Sequence, residues 1–112
     1  LLCEGGALDG VRLLSPAAVQ EMMAAQHTLG KSVTGESPYG LFLEHNDTIL
    51  PGKTVWGHQG MSSGAIVNTY FEPESGFVFT LLVNGSSMAR DNRVGKLAKR
   101  LVTELYSAFG TD

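Results

Sequence analysis

The run "FVFTLLV", Phe77 to Val83, limits the fold more than any other stretch. It is apolar at both alternating sets of positions, so a strand built from it needs cover on both sheet faces. Before it, Ala65 to Phe71 alternates Ile66, Asn68 and Tyr70 against Ala65, Val67, Thr69 and Phe71, and "EPESG" separates the two runs. That pattern predicts a hairpin of two long antiparallel strands. Val94, Leu97, Ala98, Leu101, Val102, Leu105 and Phe109 follow the i, i+3, i+4 rule over about four turns, predicting an amphipathic helix with its leucines in the core and Gly110 as its stop. This helix covers one face. A short helix remains for the other: Ser15 is suited to cap it, Pro16 to open it, and Leu14 to staple onto Val19, with Met22, Met23 and Gln26 continuing the face toward an end by Gly30. Either the chain oligomerises or further polypeptide completes the cover.

The remaining signals extend the sheet. Leu1 and Leu2 followed by Gly5 and Gly6 read as a last helical turn and its glycine stop, and Asp9-Gly10 as a turn. A polar loop is expected through Pro38, a strand over Tyr39 to His45, a turn over Asn46 to Lys53, and a second strand over Thr54 to His58. The expectation is one α+β domain over 1–112: an antiparallel sheet of four strands with the terminal helix across one face. A chain of 112 residues with 43% hydrophobic content can bury a core, hiding roughly two-thirds of its unfolded surface. An opening on a helix end without an initiator methionine is read as a piece of a longer protein.

Eleven acidic against eight basic residues give a net charge of -3, spread without runs. This pattern argues against a nucleic-acid groove or a polybasic membrane contact, and favours a small-molecule or protein partner. No apolar run approaches the ~20 residues of a membrane span. Cys3 is the only cysteine, which excludes an intramolecular disulfide and a thiolate metal cluster. His27 and His45 lack cysteine or carboxylate neighbours at ligand spacing, so no metal or other cofactor is expected. Asn84 reads as a turn former closing its strand, and no Gly-x-Ser-x-Gly elbow is present.

His58 stands apart, bracketed by Gly57, Gly60 and Gly64 at a strand edge. Taken in order, "LLCEGGALDGVRLLSPAAVQEMM", "YGLFL", "GHQGMSSGAIVNTYFEPESGFVFTLLVN" and the terminal amphipathic helix cover nearly the whole chain. Together they resemble the C-terminal portion of the serine β-lactamase-like superfamily of class C type, which holds β-lactamases, penicillin-binding D-alanyl-D-alanine carboxypeptidases, D-aminopeptidases and related esterases.

The resemblance implies a serine acyl-transfer enzyme with three motifs: Ser-x-x-Lys carrying the nucleophile, Tyr-x-Asn or Ser-x-Asn, and Lys-Thr-Gly or His-x-Gly on a sheet edge. It also implies an exported protein. Only the third motif is present, as His58-Gln59-Gly60; no lysine here has a serine three residues before it, and no tyrosine has asparagine two residues after it. Lys53-Thr54 is followed by Val55 and is not a Lys-Thr-Gly motif. By this resemblance His58 supplies a hydrogen bond or positive charge to the pocket, Gly60 leaves room for substrate along the strand, and the Met61 N–H completes an oxyanion hole. Gln59 and Ser62 fall beside the substrate, Gln59 replacing the Thr or Ser of carboxylate-reading members. Ser62 and Ser63 otherwise read as small residues at a crowded edge. The chain alone is then expected to be inactive, lacking nucleophile and base, and to form homo-oligomers. The competing reading is a non-catalytic module that binds a ligand or itself.

Overall fold

The structure is a computed structural model describing residues 1–26, 39–62, 64–85, 90–91 and 94–110. Its elements are β1 (Ala7–Leu8), β2 (Val11–Arg12), α1 (Pro16–Met23), β3 (Glu44–Asn46), β4 (Val55–Ser62), β5 (Ala65–Glu72), β6 (Phe77–Asn84), β7 (Arg90–Asp91), β8 (Val94–Gly95) and α2 (Lys96–Phe109). The four-stranded antiparallel sheet has the order β3-β4-β5-β6, and β1-β2 and β7-β8 are separate two-stranded ribbons. The fold is α+β, as the alternation and helical spacing imply.

The β5–β6 hairpin pairs along its full length, from Ala65↔Asn84 to Glu72↔Phe77. Its turn is held by the buried Glu72 carboxylate, which accepts from Ser75 Oγ at 2.6 Å, Ser75 N at 2.9 Å and Glu74 N at 3.0 Å. β4 pairs with β5 from Trp56↔Phe71 to Ser62↔Ala65, whereas β3 reaches only Val55, Trp56 and Gly57. Between β1 and β2, Asp9 (φ 49°) and Gly10 (φ 80°) both lie in the left-handed region, as a two-residue hairpin turn of this hand requires. The N-terminal turn carries two bonds, Gly6 N to Leu1 O at 2.9 Å and Gly5 N to Leu2 O at 3.1 Å. This is the paired-bond geometry of a helix end closed by glycine.

Residues directly opposite each other on paired strands share a sheet face, so the registers sort the side chains. Val55, Tyr70, Phe79, Phe77 and Leu81 fall on one face, where Val94, Ala98 and Val102 join them with Ile49 and Leu50 in the core. Phe77 meets Tyr106 edge-on with centroids 5.1 Å apart, fixing the C-terminal half of α2 over the hairpin. Gly110 ends this helix in the right-handed region at φ -96°, its N–H bonded to Tyr106 O. Glycine is required there by space, since a Cβ would overlap the Tyr106 ring.

Three expectations are corrected. Tyr39 to His45 is not a continuous strand: Phe42 takes φ 61°, Gly40 N bonds to Leu43 O, and the chain turns so that Tyr39 bridges Glu44. The α2 leucines are not core. Ala98 and Val102 face the sheet, while Leu97, Leu101, Leu105 and Phe109 form an exposed stripe, because an α-helix seated on a flat sheet buries a narrower arc than the i, i+3, i+4 pattern spans. Val94 is a strand residue, not a helical one.

Nor is the second face of β6 covered among the described residues. Val78 and Leu82 are 56% and 72% exposed, with Thr80 and Asn84 also open. α1, capped by Ser15 Oγ accepting from Ala18 N at 3.1 Å, ends near the other margin of this face, where Trp56 Nε1 donates to Met23 O at 3.3 Å. The expected loop through Pro38 lies outside the described residues.

Candidate functional site

β4 runs four residues beyond the predicted end at His58, to Ser62. Because β3 pairs only with Val55 to Gly57, the stretch His58 to Ser62 has a single strand neighbour, β5, among the described residues. Among the described residues no second strand pairs along the other side of this backbone, the kind of strand margin beside which an extended ligand or peptide can lie.

Strand alternation divides the five candidate residues between the two faces. His58, Gly60 and Ser62, opposite Thr69, Val67 and Ala65, are all exposed on the face away from α2. Gln59 and Met61, opposite Asn68 and Ile66, lie on the α2 face, Gln59 half-buried and Met61 exposed. The five thus share one edge but not one face. A Cβ at Gly60 would meet only Val67 Cβ at 3.9 Å, so the surface beside it is open. At Gly57 a Cβ would overlap the Thr69 carbonyl, so there glycine serves the packing of β4 on β5.

Tyr39 joins His58 from a distance of 19 residues. Its hydroxyl lies 3.5 Å from His58 Nε2, with the rings edge-on and their centroids 6.0 Å apart. The chain places it there by the turn through Phe42 and by backbone bonds from Gln26 N to Tyr39 O and from Leu41 N to Met22 O, both 2.8 Å. Sequence reading put Tyr39 in a strand and missed this partnership; no local signal marks it, since the contact depends on how the turn and α1 meet. The half-buried His45 ring lies against Trp56, tilted at 58° with centroids 5.3 Å apart. His27 and Ser63 lie outside the described residues.

Beneath the edge is a buried polar network that the sequence did not announce. Tyr70 Oη donates to Glu44 Oε2 at 2.6 Å, and Asn46 Nδ2 to Glu44 Oε1 at 3.1 Å. Asn46 Oδ1 accepts in turn from Thr48 N at 2.9 Å, Thr48 Oγ1 at 3.0 Å and Ile49 N at 3.2 Å. Burial first, then the hydrogen bond to Glu44 and its charge, push the Tyr70 phenol far above its ordinary 10.0. It is a fixed donor, not a base. For Glu72, burial favours the neutral acid, but the Ser75 and Glu74 donors and the Lys53 charge outweigh it, and the net shift is downward. The Asn68 Nδ2 donor, next to Gln59 across the ladder, is buried without a partner among the described residues.

Among the described residues no three His, Cys, Asp or Glu side chains converge as metal ligands, and no helix is long and apolar enough to cross a membrane. No family model, curated protein or solved structure matches this chain.

Proposed function

We propose that this chain supplies the His-x-Gly wall of the active site in a serine acyl-transfer hydrolase of the β-lactamase-like type. The observation that carries the reading is the exposed His58 imidazole beside a tyrosine hydroxyl, with a glycine two residues on whose side of the strand meets only Val67. In this reading the nucleophilic serine and its lysine come from polypeptide outside these residues. Serine Oγ adds to the substrate carbonyl carbon and loses its proton to the base, and the resulting oxyanion is held by the Met61 N–H and the nucleophile's own N–H. Collapse expels the protonated leaving group, and water releases the acid from the acyl-enzyme. His58 donates a hydrogen bond at the pocket mouth, oriented by Tyr39. Ser62 presents a hydroxyl on the same face as His58, and Gln59 lies on the other face of the same edge. Without the nucleophile, the chain by itself forms no covalent intermediate.

The test is labelling with a fluorescent penicillin and a fluorophosphonate, read by intact mass, on this chain and on the full-length gene product. The expected result is one adduct on the long product, at a serine outside these 112 residues, with the reactive probe identifying β-lactam or ester chemistry. A long product that takes neither probe, or an adduct on a serine of this chain, overturns the reading.

A further inference from the structure

We infer that Tyr39 is a positioning residue that fixes the tautomer of His58: its hydroxyl occupies Nε2, so the neutral imidazole carries its proton on Nδ1 and presents that N–H to a ligand along β4. The part this gives His58 in catalysis rests on the hydrolase reading; the state of the ring does not.

The Tyr39 hydroxyl stands 3.5 Å from Nε2, and the two rings meet edge-on at 62°. Tyr39 is held at the backbone on both sides. Its carbonyl accepts from Gln26 N at 2.8 Å, Leu41 N donates to Met22 O at the same distance, and Tyr39 bridges Glu44 at the start of β3. His58 is anchored as well, in the β4–β5 ladder opposite Thr69. The contact therefore joins two fixed backbones, and only the side-chain torsions remain to be ordered.

Chemistry decides which atom holds the proton. A phenol is a good donor and a poor acceptor, because its oxygen lone pair is delocalised into the ring, whereas the bare nitrogen of a neutral imidazole accepts strongly. O–H···Nε2 is thus the better arrangement. The bond made by one ring nitrogen sets the protonation of the other, which here places the hydrogen on Nδ1. A free imidazole in water favours Nε2–H, so the Tyr39 contact reverses the ring's own preference. His58 then meets its ligand as a neutral donor, matched to a carbonyl or carboxylate oxygen, and Nε2 is not available as a base. When the ring is protonated both nitrogens donate and the hydroxyl turns to accept, so the orientation is kept in either charge state.

Two-bond ¹H–¹⁵N correlation spectra of the 112-residue chain at about pH 9, where histidine is neutral, test the assignment, with His58 identified by the signals lost in His58→Ala. The expected result is an Nδ1–H pattern in the wild type that moves toward Nε2–H in Tyr39→Phe, with the far-UV circular dichroism unchanged. A wild-type ring dominated by Nε2–H overturns the proposal, as does a Tyr39→Phe spectrum identical to the wild type. In the full-length gene product Tyr39→Phe should slow acylation roughly 2- to 10-fold, and by nothing further in a His58→Ala background, since it acts through the ring. Equal losses in both backgrounds overturn the positioning role. A product that reacts with no acylating probe overturns the hydrolase reading instead, and the spectra alone then decide whether Tyr39 sets the tautomer.

Discussion

Tyr70 Oη donates a 2.6 Å hydrogen bond to Glu44 Oε2, linking the inner strand β5 to the edge strand β3 across 26 residues of chain. Both side chains are buried. Tyr70→Phe leaves a carboxylate oxygen without its donor and should cost about 1–3 kcal/mol, read from the urea midpoint at pH 7. The linkage has a definite sign. The phenol's folded-state pKa is raised above its ordinary 10.0, so its stabilisation is complete below about pH 10 and is lost as pH rises further. Wild type should therefore lose stability above that pH more steeply than Tyr70→Phe; equal slopes would sink this account.

The Glu72 carboxylate closes the hairpin turn with three accepted bonds, two of them from Ser75. Ser75→Ala removes the 2.6 Å hydroxyl bond and should lower stability by about 1–2 kcal/mol. Because the folded-state pKa of Glu72 lies below its ordinary 4.5, the carboxylate stabilises the fold above that pH and ceases to as pH falls through the lowered value. Acid unfolding should begin at higher pH in Ser75→Ala. Thermal melts between pH 7 and pH 2.5 measure the shift.

Two glycines of one strand should behave in opposite ways. Gly57→Ala drives a methyl into the Thr69 carbonyl and should destabilise by about 2 kcal/mol or more. Gly60→Ala meets only open surface and should leave the melting temperature unchanged, while slowing acylation in the full-length gene product if substrate lies along β4. Calorimetry separates the first outcome from the second.

Asn68 carries a buried amide donor with no partner among the described residues. Asn68→Val removes that donor and places a β-branched residue in mid-strand, so stability should hold or rise by up to about 1 kcal/mol. A loss of several kcal/mol in chemical denaturation would show that the amide is satisfied in solution.

His58 is exposed and outside the core. His58→Ala should leave the melt of this chain unchanged and, on the proposed hydrolase reading, reduce the acylation rate of the full-length product by about 10²-fold. Tyr39→Phe should give a smaller loss in the same stopped-flow assay, since it removes an orienting hydroxyl rather than the imidazole.

Alternation made the β5–β6 hairpin legible, because burying Tyr70 and Phe79 on one face leaves a single register that also closes the Glu72–Gly76 turn. Ser15 and Pro16 marked the start of α1, and Gly110 the end of α2, through local backbone chemistry that needs no distant partner. The placement of His58 and Gln59 on opposite faces likewise follows from the two-residue period of a strand. Other features depended on contacts between segments far apart in the chain. Phe42 at positive φ breaks the expected Tyr39 to His45 strand because Leu41 and Gln26 tie that segment to the end of α1. The same tie brings Tyr39 to His58. Hydrophobic periodicity marked Leu97 to Phe109 as one apolar face, but only the seating of α2 on the sheet decided that Ala98 and Val102 are buried and the leucines are not. Sequence by itself determined which residues can be strand, turn or helix, since those choices are settled within a few residues. Tertiary structure decided which apolar surface is covered and which polar groups meet, because both depend on where a second element comes to rest.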